Sequence, residues 1–323
     1  MVSVVMIAYN NERYIDRAIE GVVRQQVDFD IELVICDDAS TDSTADIVAK
    51  WAKKYPGVIR YSRNASNLGV QGNYLEAFRH CRGKYMAMCD ADDYWICRTK
   101  LARQVDYMEN HSECAIVFHR VVNYFEATGE MSLSNGGADA RKAESDIVDL
   151  ARRNVITNMS VLYRRELVDL TRLPSWLGEV RLLDYAMHML YAAHGTVHYM
   201  RRPMGVYRQS PQAIWSMAES YRRLTMALDV RLHLLETFAG REDVARELRK
   251  ASVNTVVAMV AAAGEDESRR RQALDMLQRI GADVSEQEVM RRASLPPKKK
   301  ALTKRVLSQC RTLVSRMIPV PRP

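Results

Sequence analysis

The sequence predicts an α/β protein built on a largely parallel central sheet and extended at its C-terminal end by helices, and three observations lead there. Short apolar runs alternate with amphipathic stretches through roughly the first hundred residues, the pattern of strand and helix units around a mostly parallel sheet. Polar residues gather just where the apolar runs end, at Tyr9-Asn10, at Asp37-Asp38 and at Asp90 to Asp93, on the edge where open α/β sheets bind ligands. Beyond Pro211 the hydrophobic period is almost wholly helical.

In order, Val2 to Ala8 reads as a strand and Tyr14 to Arg24 as a helix, followed by a strand at Ile31 to Cys36 and a helix at Thr44 to Lys54. A strand at Val58 to Ser62, a helix near Gln71 to Cys81 and a strand at Lys84 to Cys89 complete the series. A helix is expected at Lys100 to Asn110, a strand pair near Cys114 to Phe125, and a polar loop around Ser132 to Asp139. A strand at Val155 to Tyr163, a helix around Asp184 to Ala193 and an extended piece at Val197 to Tyr207 come next. Helical periods then cover Glu219 to Phe238, Val244 to Ala263 and Ser268 to Arg279. The expected division is a catalytic domain over 1–212, a helical region over 213–295 and a basic tail over 296–323.

Composition bounds the function. Hydrophobic residues at 47% and charged residues at 27% are globular values. The net charge of +7 would point to nucleic acid if the excess were spread along the chain. It is concentrated after Pro296, where Lys298, Lys299, Lys300, Lys304, Arg305, Arg311, Arg316 and Arg322 face no acidic residue, leaving 39 of the 47 basic residues against 40 acidic ones elsewhere. No aromatic platform accompanies those charges, which argues against nucleic acid as a partner. The six cysteines show no metal-ligand spacing and are expected as buried thiols in a reducing cytosol. The N-terminus lacks the layout of a signal peptide, and no apolar run approaches the roughly 18 residues of a membrane span. Membrane contact is therefore expected to be peripheral at most, and the location cytoplasmic.

The sharpest chemical feature is CDADDYW at 89–95. Carboxylates at i and i+2 of an extended segment project to one side and can share a divalent cation. Two acidic residues one apart are most often a solvated turn; here they follow KYMAMC, an apolar strand, and that context favours a site. In IELVICDDASTDST, Asp38 is suited to accept hydrogen bonds from a base or ribose, or to cap a helix, whereas Asp42 and Ser43 fit helix N-terminal positions. At Ala8-Tyr9-Asn10-Asn11-Glu12, Tyr9 can cover a nucleobase and Glu12 can contact it, with a plain N-cap as the competing reading of Asn10.

These pieces, in this order, resemble glycosyltransferase family 2. The residues that carry the resemblance are Ala8-Tyr9-Asn10, then Asp37-Asp38-Ala39-Ser40-Thr41-Asp42, then Asn67-Leu68-Gly69 with Asn73, and Asp90-Ala91-Asp92-Asp93, with Trp95, Lys100-Leu101 and Gln104 trailing. The resemblance covers about two-thirds of the chain. It implies a GT-A fold, Rossmann-like, and a nucleotide-sugar donor (UDP-, dTDP- or GDP-linked) held with Mg²⁺ or Mn²⁺. Asp38 falls near the base or ribose, Asp90 and Asp92 at ribose and metal, and Asp93 as a flanking supporter. Ala8, Tyr9, Asn10, Glu12, Asn67, Gly69, Asn73, Ala91 and Arg208 complete the implied donor-binding set.

Residues 182–195, LLDYAMHMLYAAHG, are similar to a GDWxLxLxxAxxG segment of bacterial envelope-polysaccharide transferases. That similarity makes Asp184 the candidate base of an inverting transfer; read alone, it is an ordinary carboxylate at a helix start. Leu183 and Tyr185 replace the Gly and Trp of that pattern. His119 is a second candidate, balanced by the reading of a satisfied buried histidine; His188 and His194 read as packing or surface residues. Where related enzymes carry YRxH, this chain has Tyr207-Arg208-Gln209-Ser210, so a hydroxyl stands where an imidazole can complete a metal site. Arg208 faces either the diphosphate or an ion pair.

In the tail, Leu302, Val306, Cys310, Leu313 and Met317 recur at helical spacing among basic residues. Such a helix can lie on an anionic membrane surface, dock on the body or remain disordered. The expected function is therefore transfer of a sugar to a saccharide or lipid-linked acceptor of a surface polysaccharide. The alternative is an impaired nucleotide-sugar-binding or scaffold protein on the same fold, motivated by Ser210.

Overall fold

The computed structural model describes residues 1–134, 142–210 and 219–295. The tail from 296, Trp215-Ser216, most of the polar loop expected around 132–139 and the expected boundary between the first two domains lie outside those residues.

The chain opens with β1 (Val2–Ala8), α1 (Ile15–Val23), β2 (Ile31–Asp37), α2 (Thr44–Lys54), β3 (Ile59–Arg63), α3 (Gly69–Arg79) and β4 (Tyr85–Met88). Each helix forms because its apolar residues share a stripe: in α1, Ile15, Ala18, Ile19 and Val22 are the buried ones. β1, β2, β3 and β4 pair in parallel in the order β3-β2-β1-β4, so the C-terminal ends of these strands share one edge. The runs of Val, Ile, Leu and Met in β1, β2 and β4 are buried on both faces, as parallel strands covered by helices require, while β3 at the edge is mostly half-buried.

The middle of the chain continues the sheet. β5 (Tyr94–Trp95), α4 (Lys100–Asn110), β6 (Cys114–Phe125), β7 (Glu130–Leu133), β8 (Glu144–Ser145), α5 (Ile147–Arg152), β9 (Leu162–Arg164), α6 (Leu183–Ala192) and β10 (Thr196–Gln209) follow. β9 inserts antiparallel between β4 and β6, while β6 and β10 run parallel to each other. β6 and β10 consequently point the same way as β1 to β4, and their last residues arrive at the same edge. Gly21 lets α1 close on β5: a Cβ there would lie 2.9 Å from the Trp95 carbonyl oxygen.

Two sequence expectations need correcting. The strand pair near Cys114 to Phe125 is one twelve-residue strand; its hairpin partner β7 comes after a turn in which Gly129 takes φ +67. The strand expected at Val155 to Tyr163 is mostly a 3₁₀ turn at Asn158–Ser160 ahead of the three-residue β9. Its apolar and β-branched content reads as extended, but the Ser160 and Val161 amides bond back to Thr157 and Asn158. That turn aims the Asn158 side chain at the site.

The last helices are α7 (Ser220–Thr237), α8 (Glu242–Ala263), α9 (Glu267–Ile280) and α10 (Glu286–Ala293). They bury a cluster of their own around Leu228, Val256, Met259 and Leu277. Val230, Leu234, Val244 and Leu248 join the body's core beside α5 and α6. No helix among the described residues is long and apolar enough to cross a membrane.

Candidate active site

β4 ends at Met88, and the chain turns at once, the Asp93 amide donating to the Asp90 carbonyl at 3.0 Å. That turn crowds three carboxyls into a half-buried loop. Asp90 accepts hydrogen bonds from the Tyr74 hydroxyl and, at 3.1 Å, from Asn158 Nδ2. Burial nevertheless raises its pKa above the usual carboxylate range. Burial, followed by the charge of Asp90, lifts Asp92 to about 6. Asp93 is 2% exposed and accepts the Arg208 amide at 2.8 Å; burial and its two acidic neighbours push its pKa well up. Asp93 thus fastens the loop to β10, while Asp90 is held by Tyr74 of α3 and by Asn158.

Asp184 lies in the first turn of α6 and lines a small cavity with Tyr74 and Asn158, the two side chains that hold Asp90. Burial, and to a smaller degree the charge of Asp90, raise it to about 6. Tyr207, on β10, lies in the field of Asp93, Asp92, Asp184 and Asp90, and burial raises its hydroxyl pKa furthest of these causes. The structure therefore brings the acidic loop and Asp184 into one electrostatic neighbourhood, more than ninety residues apart in sequence.

The loops after β1 and β2 are knitted together instead. Asp38 is 2% exposed; its Oδ1 accepts Asn64 Nδ2 at 2.9 Å and the Leu68 amide at 2.8 Å, and its Oδ2 accepts the Gly69 amide at 2.9 Å. Gly69 needs its φ of +76 to make that turn into α3, and Asn67 Oδ1 accepts the same amide. Asn73, 1% exposed, spans from the Cys36 carbonyl to Asn64. Asn10 has φ +53, and its Oδ1 accepts the Thr41 amide at 2.8 Å while its own amide donates to Ser40. It is a loop clamp rather than a helix cap; Asn11 Oδ1 accepts the Tyr9 amide, and α1 begins at Ile15 without a side-chain cap. Glu12 accepts the Ser43 amide, and Asp42 accepts the amides of Glu12 and Thr44, so both acids are engaged at the start of α2. Ala8 and Ala91 are buried at 2% exposure each, whereas Tyr9 is 49% exposed, an aromatic ring left open at the sheet edge.

Arg208 sits between the two groups. Its Nε donates to the Asp92 carbonyl at 3.0 Å, its guanidinium lies 4.6 Å from the Tyr14 ring centroid, and Glu126 is 3.8 Å away. Glu126 also accepts the Tyr14 hydroxyl at 3.0 Å. Ser210, 5% exposed, hydrogen-bonds Tyr14. His119 is buried; its Nδ1 donates to the Arg120 carbonyl, and burial beside Lys100 holds its pKa well below the usual range. His188 is buried and pushed to about 3, a neutral packing residue, and His194 is exposed. Among the described residues no three His, Cys, Asp or Glu side chains converge closely enough to hold a metal by themselves.

Residues 3–170 match the family described as Glycosyl transferase family 2, just over half of the chain. The chain belongs to glycosyltransferase family 2. An uncharacterised protein of Mycobacterium tuberculosis (strain ATCC 25618 / H37Rv) is 31% identical to it over 264 residues, 76% of this chain and 72% of that one. WfaP of Escherichia coli, a UDP-Glc:alpha-D-GlcNAc-diphosphoundecaprenol beta-1,3-glucosyltransferase, is 35% identical over 125 residues, 39% of this chain and 46% of its own. The crystal structure of Staphylococcus aureus TarS 1–349 in complex with UDP superposes with a TM-score of 0.59 at 15% identity, covering 93% of this chain and 94% of that one. The family 2 chain thus has the GT-A fold.

Within this glycosyltransferase, sequence reasoning missed Tyr74, Asn158, Tyr207 and Glu126. Tyr74 and Asn158 hold Asp90, Tyr207 faces all four acids, and Glu126 holds Arg208. Glu126 had a findable signal: it directly follows a long apolar run that ends at the ligand edge. Asn158 had none, because its run reads as a strand interior.

Proposed function

We propose that this glycosyltransferase transfers a sugar, with inversion, from a UDP-, dTDP- or GDP-sugar to a saccharide or lipid-linked acceptor during assembly of a cell-surface polysaccharide. One observation carries the reading: Asp90, Asp92 and Asp184 are half-buried acids in one electrostatic neighbourhood, with raised pKa values and too little compensating charge. Such an arrangement is costly without a ligand and suited to one that brings positive charge and hydroxyl groups.

The acidic loop fits a divalent cation. Its donor set is all oxygen, as Mg²⁺ or Mn²⁺ prefers, and two carboxylates leave the remaining positions to donor phosphates and water. Asp90 and Asp92 are the residues that would hold it, and the ion would neutralise the departing diphosphate. Arg208, beside the Asp92 carbonyl, adds positive charge to that side. Tyr9 covers the base; Asp38, with Asn67, Gly69 and Asn73, builds the loop that borders the ribose.

Asp184 is the base. Ionised at neutral pH yet more basic than an ordinary carboxylate, it takes the proton from the acceptor hydroxyl. The freed oxygen bonds to the anomeric carbon as the bond from that carbon to the nucleoside diphosphate breaks on the opposite side. The WfaP name, with its diphosphoundecaprenol acceptor, supports a lipid-linked acceptor here. The basic tail after residue 296 would then hold the enzyme at the cytoplasmic face of an anionic membrane. The test is titration with a panel of nucleotide sugars and Mn²⁺: one donor class should bind, and an Asp184→Asn protein should bind it equally while failing to transfer. Absence of binding by every donor would sink the reading.

A further inference from the structure

A small cavity is lined by Asp184 and Asn158 together with Tyr74, Phe78, Met88, Tyr163, Leu183 and Met187. Its free volume is about 10 Å³, room for one water- or methyl-sized group. Resting on the donor site proposed above, we infer that this cavity receives a methyl group of the transferred sugar and so selects donors that carry one.

Position is the first argument. Asn158, which donates to the proposed donor ligand Asp90, and Asp184, the proposed base, line the same cavity. A group that lies against both belongs to the sugar ring passing between them. Chemistry of the walls is the second. Two of the three polar side chains on the walls are engaged, since Asn158 Nδ2 donates to the Tyr74 oxygen at 2.8 Å and the Tyr74 hydroxyl donates to Asp90, and the Asp184 carboxyl adds a single further acceptor. A buried water or sugar hydroxyl needs two or more partners, whereas aromatic faces, thioethers and a leucine suit a methyl. Size is the third argument, since a hydroxymethyl group adds a second heavy atom to a cavity with room for about one. Two common donor features end in such a methyl, the 2-N-acetyl group and the C6 of a 6-deoxy sugar.

The experiment measures dissociation constants of the full-length protein, with Mn²⁺, for matched donors. The pairs are UDP-GlcNAc against UDP-glucose, dTDP-6-deoxyglucose against dTDP-glucose, and GDP-rhamnose against GDP-mannose. The methyl-bearing member of at least one pair should bind about 10-fold tighter or more, the range an apolar pocket gives for one such group. Preference in the first pair assigns the N-acetyl methyl, and preference in either of the others assigns C6. Met187→Phe, which fills the cavity, should collapse the ratio toward one while leaving affinity for the free nucleoside diphosphate unchanged. Should that variant not fold, Leu183→Ala enlarges the same wall and should also lower the ratio, by admitting the hydroxyl-bearing partner. Donor binding with no preference in any pair, or a preference that survives refilling or enlargement of the cavity, overturns the methyl assignment alone. Failure of every donor and nucleotide to bind overturns the transferase reading and this inference with it.

Discussion

Two acidic regions lie on the same edge of the sheet, and they are opposites. After β2, Asp38 is buried and its carboxylate is answered by Asn64, Leu68 and Gly69, while Asp42 and Glu12 are answered by backbone amides at the start of α2. After β4, Asp90, Asp92 and Asp93 are pressed together with fewer donors than their oxygens can use, and their pKa values rise. The same side chain is a structural tie in one place and an unbalanced charge in the other. Satisfied acids build the rim of the site, and unsatisfied ones await a partner.

The largest effect that could break this contrast concerns Asp184. Asp184→Asn keeps the shape and removes the basicity, so transfer should fall by about 10²- to 10⁴-fold, the usual contribution of a positioned base. Donor affinity, measured by calorimetry, should stay within about twofold. A rate close to wild type would remove Asp184 as the base. The scaffold reading makes the contrary forecast, that neither protein turns over any donor.

On the satisfied side the expected loss is of stability. Asp38→Ala leaves the Leu68 amide without its acceptor and the Gly69 amide with Asn67 Oδ1 alone, and an unmet buried donor costs about 1 to 3 kcal/mol. Urea unfolding should show a loss of about 1 to 3 kcal/mol, with Asp38→Asn recovering part of it. A variant as stable as wild type would mean that the loop before α3 is held by something other than Asp38.

Asp92 should respond in the other direction. Asp92→Ala relieves a buried repulsion, so the ligand-free protein should melt at the same temperature or higher. Its Mn²⁺-dependent donor binding should weaken about 10- to 100-fold, in keeping with loss of a metal ligand. Unchanged metal-dependent binding would move the cation away from Asp92.

This contrast also marks what the sequence made legible. The strands and helices up to Met88 were readable because strand runs and helical stripes have distinct periods, and the α/β class follows from them, whereas the GT-A fold is what the ordered motifs shared with family 2 implied. Asp90 to Asp93 stood out because an acidic run after an apolar strand has few structural explanations. What stayed hidden depends on long-range convergence. Tyr74, Asn158 and Tyr207 come from α3, a 3₁₀ turn and β10, and nothing local marks them as neighbours of Asp90. The Val155 to Tyr163 run misled because Asn158 and Ser160 curl the backbone inside a stretch whose composition favours a strand. The engaged state of Asp38 was equally invisible, since its partners lie some thirty residues further on.

The smallest effect is a slope. Asp92 and Asp184 have folded pKa values of about 6 against an ordinary 3.8. Between about pH 4 and pH 6 the folded protein therefore binds more protons than the unfolded chain, and these two groups lose stability as pH rises through that window. Glu32 and Asp42, whose pKa values are lowered by hydrogen bonds, act with the opposite sign and below that window, costing stability as the pH falls through their folded values. Single variants isolate the acidic pair from this background. The melting temperature of Asp184→Asn relative to wild type should climb from pH 4 to pH 6 and then level off, by an amount on the order of 1 to 2 kcal/mol in stability. Adding Mn²⁺ with the cognate nucleotide diphosphate should reverse the trend for Asp92, because a bound cation favours the ionised carboxylate. A difference between variant and wild type that is flat across pH 4 to 6 would mean that Asp184 is as well satisfied as Asp38, and the contrast between the two ends of the sheet edge would be gone.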